Sequence, residues 1–294
     1  MTTKFVRPIA PRIHSHLRLL LLLPLACLLG CTLPYTPSPL SGNWQIQAGP
    51  SSLTPPTALT SPPTGIYLIG AMQIQGSQAT AVFQTNAASG GAGIVNFSGS
   101  FDSTTSVLAL SSTPAYLGVQ LTLPANPTNL ATGNMTVGCQ PPPAGGATCT
   151  VIALLPAAGA EIAPLNGTYA GPLTESASSL TSPIPSGTVS LALTQSSTPN
   201  TSGQFPLTGT LTFNGGGCSA SNSIGGFISG ISFTNVIVTS LTSQAIPPPL
   251  PAVITAYTNP TASQITVSGL VFNPSPCSAV SSSSTTYAGT LTLQ

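Results

Sequence analysis

Three carboxylates, Asp102, Glu161 and Glu175, are the only acids in this 294-residue chain. Its four cationic side chains (Lys4, Arg7, Arg12, Arg18) and both histidines (His14, His16) fall within the first 18 positions. Beyond Arg18 no side chain can serve as a near-neutral base, form a Schiff base or hold an oxyanion by charge, so the abundant serines lack the partner that nucleophilic catalysis needs. A pair of acids is the one catalytic arrangement left, because glycosidases work with two carboxyl groups about 5–9 Å apart. Asp102, in Phe-Asp-Ser-Thr-Thr, reads as the side chain of an Asx-turn. Glu161 lies in the inter-domain stretch Gly-Ala-Glu-Ile-Ala-Pro, and Glu175 in a loop after the first strand of the second half. No enzyme and no cofactor are expected, with a carboxylate-based hydrolase as an alternative. No metal site is expected either, because there is no histidine, the acids are scattered, and Cys139 and Cys149 are spaced too widely for a zinc knuckle.

The same charge distribution limits the partners. A surface without Lys or Arg cannot track a phosphate backbone, which excludes nucleic acid, nor dock electrostatically on anionic lipid. Disorder does not fit a chain that is 41% hydrophobic, since disordered segments combine low hydrophobicity with high net charge. With so little to titrate, thermal stability is expected to be nearly flat between about pH 5 and 9.

Six cysteines occur, at 27, 31, 139, 149, 218 and 277. Cys31 ends Leu28-Leu29-Gly30-Cys31, which follows a basic segment and an apolar run from Leu19. That run is shorter than the roughly 20 residues of a spanning helix and is broken by Pro24. The arrangement resembles the signal peptide of bacterial lipoproteins with its lipobox. The resemblance implies cleavage before Cys31, a diacylglycerol on its sulfur, and attachment through acyl chains. Thr32, in place of the aspartate that goes with inner-membrane retention in that family, implies the outer membrane. Cleavage there leaves Cys139, Cys149, Cys218 and Cys277, an even set suited to an oxidising compartment. Cys139 and Cys149 bracket a Pro/Gly turn, so the expected disulfides are Cys139–Cys149 and Cys218–Cys277, among the three connectivities that four cysteines permit.

These residues must be positioned by strands. Residues 31–40 carry three prolines and read as a tether. The rest reads as an internal duplication: Leu40-Ser41-Gly42-Asn43-Trp44 corresponds to Leu165-Asn166-Gly167-Thr168-Tyr169, Ser51–Thr54 to Ser178–Thr181, and Gly65 to Gly187. The expected division is a signal peptide over 1–30, the lipidated tether over 31–40, and β domains over 41–160 and 161–294. Val189, Leu191 and Leu193 alternate with polar residues, as do Leu207, Leu211 and Phe213; Ile265, Val267 and Val271 form another run, and Tyr287, Leu291 and Leu293 the last. In the first half the strand-like segments are 42–48, 66–84, 94–101, 106–111, 118–123, 131–139 and 149–155. The best helical window, Val151 to Ala160, is interrupted by Pro156 and Gly159. An all-β chain of two tandem antiparallel β-barrel or β-sandwich domains follows. Gly42-x-Trp44, with its copy Gly167-x-Tyr169, resembles the first strand of the calycins, the avidin and lipocalin barrels. That likeness implies an aromatic plugging one barrel end, although the arginine that packs on the lipocalin tryptophan has no counterpart here.

Aromatics among uncharged polar neighbours suit sugar rings, but Trp44, Tyr67, Tyr169 and Tyr287 lie in strands and are expected in cores. Tyr116 and Tyr257, beside turns, are the candidate ligand-binding residues. The reading is a lipid-anchored envelope protein of structural or neutral-ligand-binding role, with a carbohydrate-binding surface lipoprotein as the alternative. Its partners would be the membrane, through Cys31, and a neutral glycan or another envelope protein.

Overall fold

The computed structural model describes residues 40–49, 59, 65–88, 91–113, 116–125, 129–138, 153–178, 187–215, 218–238, 252–272 and 285–294. The expected signal peptide, Cys31 and most of the tether lie outside them, as do Cys139, Cys149 and Cys277. Cys218 opens a strand, paired in the backbone with Gly215, but its side chain is not described.

The described residues form sixteen antiparallel strands in two closed barrels of eight. The first comprises β1 (Gly42–Ala48), β2 (Ile66–Gln75), β3 (Gln78–Ala88), β4 (Gly91–Asp102), β5 (Val107–Thr113), β6 (Leu117–Thr122), β7 (Ala131–Val137) and β8 (Ala153–Ile162). The second comprises β9 (Gly167–Ser178), β10 (Gly187–Gln195), β11 (Phe205–Gly215), β12 (Cys218–Ile228), β13 (Ser232–Val238), β14 (Ala252–Thr258), β15 (Gln264–Phe272) and β16 (Thr285–Leu293). In each, neighbours in sequence are neighbours in space, and the first strand pairs with the last to close the wall. The two halves thus share one topology, and each described strand has a partner on both sides, β12 and β13 joining through two residue pairs.

Alternation drives the folding of both walls. Leu68, Phe83, Phe97, Leu108, Leu121 and Met135 point into the first barrel, while Gln73, Thr80, Asn96, Ser111, Gln120 and Asn134 are exposed outside it. At these positions the wall is polar outside and apolar within, although Ile94 and Leu154 are also exposed. In the second barrel Val189, Leu191, Leu193, Leu207, Leu211 and Phe213 are buried together, as the sequence predicts.

Several segments differ from the sequence expectation, and the stretch around Glu161, read as inter-domain, is strand through Ile162. Residues 66–84 are not one segment but a hairpin, β2 and β3, turned by Gly76 and Ser77, with Gly76 at φ +58°. The expected segment 149–155 gives way to β8, which runs from Ala153 through Pro156 and Gly159 to Ile162. Its interior positions Ala157 and Gly159 are small because β1 packs tightly there; a Cβ on Gly159 would stand 2.9 Å from Ile46 Cγ1. In β15 the phase changes at a bulge between Val267 and Leu270, so Leu270 is buried and Val271 turns outward.

The connections 196–204, 229–231 and 259–263 all lie at one end of the second barrel, and that end is applied to the outer wall of the first. Asn43 Nδ2 donates to Gly230 O at 2.8 Å, and Gly230 N–H donates to Asn43 Oδ1 at 2.7 Å. Ile231 N–H donates to Gln45 Oε1 at 3.0 Å. Gly203, at φ +75°, approaches so closely that a Cβ there would meet Val82 O at 2.1 Å. Ala71, on the outer face of β2, belongs to the second barrel's apolar core. Both faces of β1 are therefore buried, one in each barrel's territory.

Candidate functional site

Trp44 lies 2% exposed at the end of the first barrel where β1 begins, and its Nε1–H donates to Leu40 O at 2.9 Å. Directly opposite Trp44 on β8 is Glu161. Residues opposed across an antiparallel pair point to the same side of the sheet, so Glu161 faces the barrel interior with Trp44. Gly42 makes this geometry available, since a Cβ there would stand 2.7 Å from Glu161 Oε1. Around the two side chains lies a cavity of about 250 Å³, walled by Leu40, Leu123, Pro124 and Ala131, with Asn129 at its rim. Ala131 faces Gly159 across the β7–β8 pair, and both line the cavity.

The electrostatics of the cavity are set by a single group. Burial removes water from the Glu161 carboxyl and pushes it up to about 7, from an ordinary value of 4.5. No hydrogen bond or opposite charge from the described residues offsets that loss of hydration. Neither β1, β7, β8 nor residues 123–130 carries any other titratable side chain.

The second barrel holds the same corner in apolar form. Tyr169 stands where Trp44 does, and the residue opposite it is Leu293. A Cβ on Gly167 would lie 2.8 Å from Leu293 Cδ1, as one on Gly42 would lie 2.7 Å from Glu161 Oε1. Tyr169 is sealed in place by its O–H donating to Ala262 O at 2.8 Å. The fold accepts a partly exposed leucine at this corner, so the carboxylate in the first barrel is not a requirement of the architecture.

The other acids are placed apart from Glu161. Asp102 ends β4, on the opposite side of the first barrel's wall from β8. There it accepts from Thr105 Oγ1–H at 2.8 Å and Thr104 N–H at 2.8 Å, the Asx-type turn its sequence context predicts. These hydrogen bonds hold it below the usual carboxylate range. Glu175, expected in a loop, lies instead within β9 of the second barrel, opposite Tyr287, because β9 runs on through Pro172 to Ser178. Burial and, secondarily, the Glu175 charge push the Tyr287 hydroxyl up to about 12. Tyr116 is 7% exposed in the first barrel's core, with its backbone N–H on Ser112 Oγ at 3.1 Å. Tyr257 is half-buried on β14. The two candidate tyrosines thus sit in different barrels, and neither lines the Glu161 cavity. Among the described residues no cluster of three His, Cys, Asp or Glu side chains could hold a metal ion.

Sequence reasoning missed the pairing of Gly42, Trp44 and Glu161. The signal was present, in a glycine two residues before the aromatic and an acid at the end of the half, but register between first and last strands is needed to join them. Comparison with known proteins finds no matching family model, no matching curated protein and no matching solved structure.

Proposed function

We propose that this chain is a lipid-anchored protein of the bacterial envelope, delivered to the outer membrane where the host has one, that binds a ligand and catalyses nothing. The observation that carries the binding role is the cavity at the mouth of the first barrel, which holds one carboxyl group and no second. A single acid in an apolar recess can orient and hold a molecule. Glycoside hydrolysis needs a second acid across the scissile bond, and Asp102 and Glu175 do not line this cavity. Carbohydrate binding would need a row of exposed coplanar rings; Trp44, Tyr116, Tyr169 and Tyr287 are buried in the two cores, and Tyr67 and Tyr257 stand half-buried in different barrels.

Attachment rests on Leu28-Leu29-Gly30-Cys31 and the basic segment before it. On this reading acyl chains on Cys31 would supply the membrane affinity. The disulfides Cys139–Cys149 and Cys218–Cys277 belong to the same reading of an oxidising compartment. The test is metabolic labelling with a fatty-acid analogue, together with membrane fractionation. Wild-type chain is expected to carry label and sediment with membranes, and Cys31→Ser to lose both; label retained in Cys31→Ser contradicts the assignment.

A further inference from the structure

We propose that the cavity beside Trp44 and Glu161 takes a small organic ammonium ion with a short apolar body, its N–H groups on the Glu161 carboxylate and its carbon chain against Leu40, Leu123 and Trp44. This rests on the binding reading of the same cavity and adds the class of ligand.

Three observations lead to it. The first is the comparison within the chain: at the equivalent corner of the second barrel the residue facing Tyr169 across the same closing pair of strands is Leu293, 44% exposed. The fold therefore does not call for a carboxylate at Glu161, and a desolvated acid is a cost that leucine would avoid. The second is that no side chain of residues 19–294 can neutralise it, because every Lys, Arg and His of the protein lies at or before Arg18. Glu161 is only half-buried, but a carboxylate that has lost part of its hydration gains from an opposite charge, and here that charge would have to arrive with the ligand. The third is shape and lining. A volume of about 250 Å³ has room for a compact organic group, and its walls away from Glu161 are mainly aliphatic and aromatic. One carboxylate with apolar walls suits a single charged nitrogen on a compact hydrocarbon. It does not suit a metal ion, which would demand several oxygens.

Trp44 is the only tryptophan in the chain, so its emission reports on this cavity without a label. The experiment titrates the purified full chain with n-hexylammonium in an amine-free buffer at pH 8, with hexan-1-ol and hexanoate as probes of matched length. The expected result is a saturable change in Trp44 emission with n-hexylammonium, at concentrations about tenfold or more below those needed for hexan-1-ol, and no response to hexanoate. Glu161→Gln should remove the preference for the ammonium, and so should Glu161→Leu, which copies the second barrel and guards against a loss due to misfolding. Equal response to hexan-1-ol and n-hexylammonium overturns the ammonium assignment while leaving a binding cavity. No saturable response to any probe overturns both. A preference for n-hexylammonium that survives in Glu161→Gln also contradicts the proposal, since the selectivity would then come from elsewhere.

Discussion

A carboxyl held near 7 in the folded protein and near 4.5 in the unfolded chain links Glu161 to stability. Below the unfolded value both states are protonated and the group contributes nothing to pH dependence. Between the two values the unfolded chain ionises while the folded one keeps its proton, so stability falls as pH rises, and above about 7 the full penalty is in place. Glu161 is half-buried, so solvent screens part of the effect; after that discount the loss is on the order of 1–2 kcal/mol. A melting series from pH 5 to pH 8 should therefore show a midpoint that drops by roughly 2–8 °C. Glu161→Gln should flatten the series, and a flat wild-type series would remove the desolvation account. Composition alone predicts the flat result, because it counts ionisable groups without knowing which is denied water. Asp102 shows the opposite case, since its turn role was legible from Phe-Asp-Ser-Thr-Thr, and the hydrogen bonds that make the turn are local in sequence.

Strands were legible where alternation was unbroken and turns carried several Gly, Pro or Ser residues. β10 and β11 are such cases, with Val189, Leu191 and Leu193 inward and Thr188 and Thr194 outward. The signal failed where structure depends on one or two residues. The β2–β3 hairpin turns through Gly76 and Ser77, and the φ of +58° at Gly76 is the left-handed conformation that costs other residues about 1–2 kcal/mol. A Cβ there meets nothing within 4 Å, so Gly76→Val should lower the denaturant midpoint by that conformational cost with no added clash. Gly76→Asn should lose less, because asparagine tolerates this region better. An unchanged midpoint in Gly76→Val would mean the turn is not held as described. β15 was misread for a related reason: one bulge exchanges Val271 for Leu270 in the core, and a period of two carried across it puts the wrong residue inside.

The division into two similar halves was visible in the Gly-x-aromatic repeats, but the docking of one barrel on the other was not, because it uses Asn43 and Gln45, polar residues that a strand normally turns to water. Their amides instead hold Gly230 and Ile231 of the second barrel. Asn43→Ala would leave both the N–H and the C=O of Gly230 buried without this partner, and should cost about 1–3 kcal/mol. Equilibrium unfolding measures that loss; a neutral effect would show that the contact between the barrels is not energetically coupled to the fold. The whole molecule also offers an unusually direct view of its candidate site. It contains only two glutamates, Glu161 and Glu175, so protein labelled with 13C at the glutamate carboxyl carbon gives two side-chain resonances, and Glu161→Gln assigns one of them by its absence. A pH titration of the wild type should place the midpoint of the Glu161 resonance near 7. A midpoint for that resonance in the ordinary carboxylate range would contradict the water-poor, unpartnered acid on which the binding site rests.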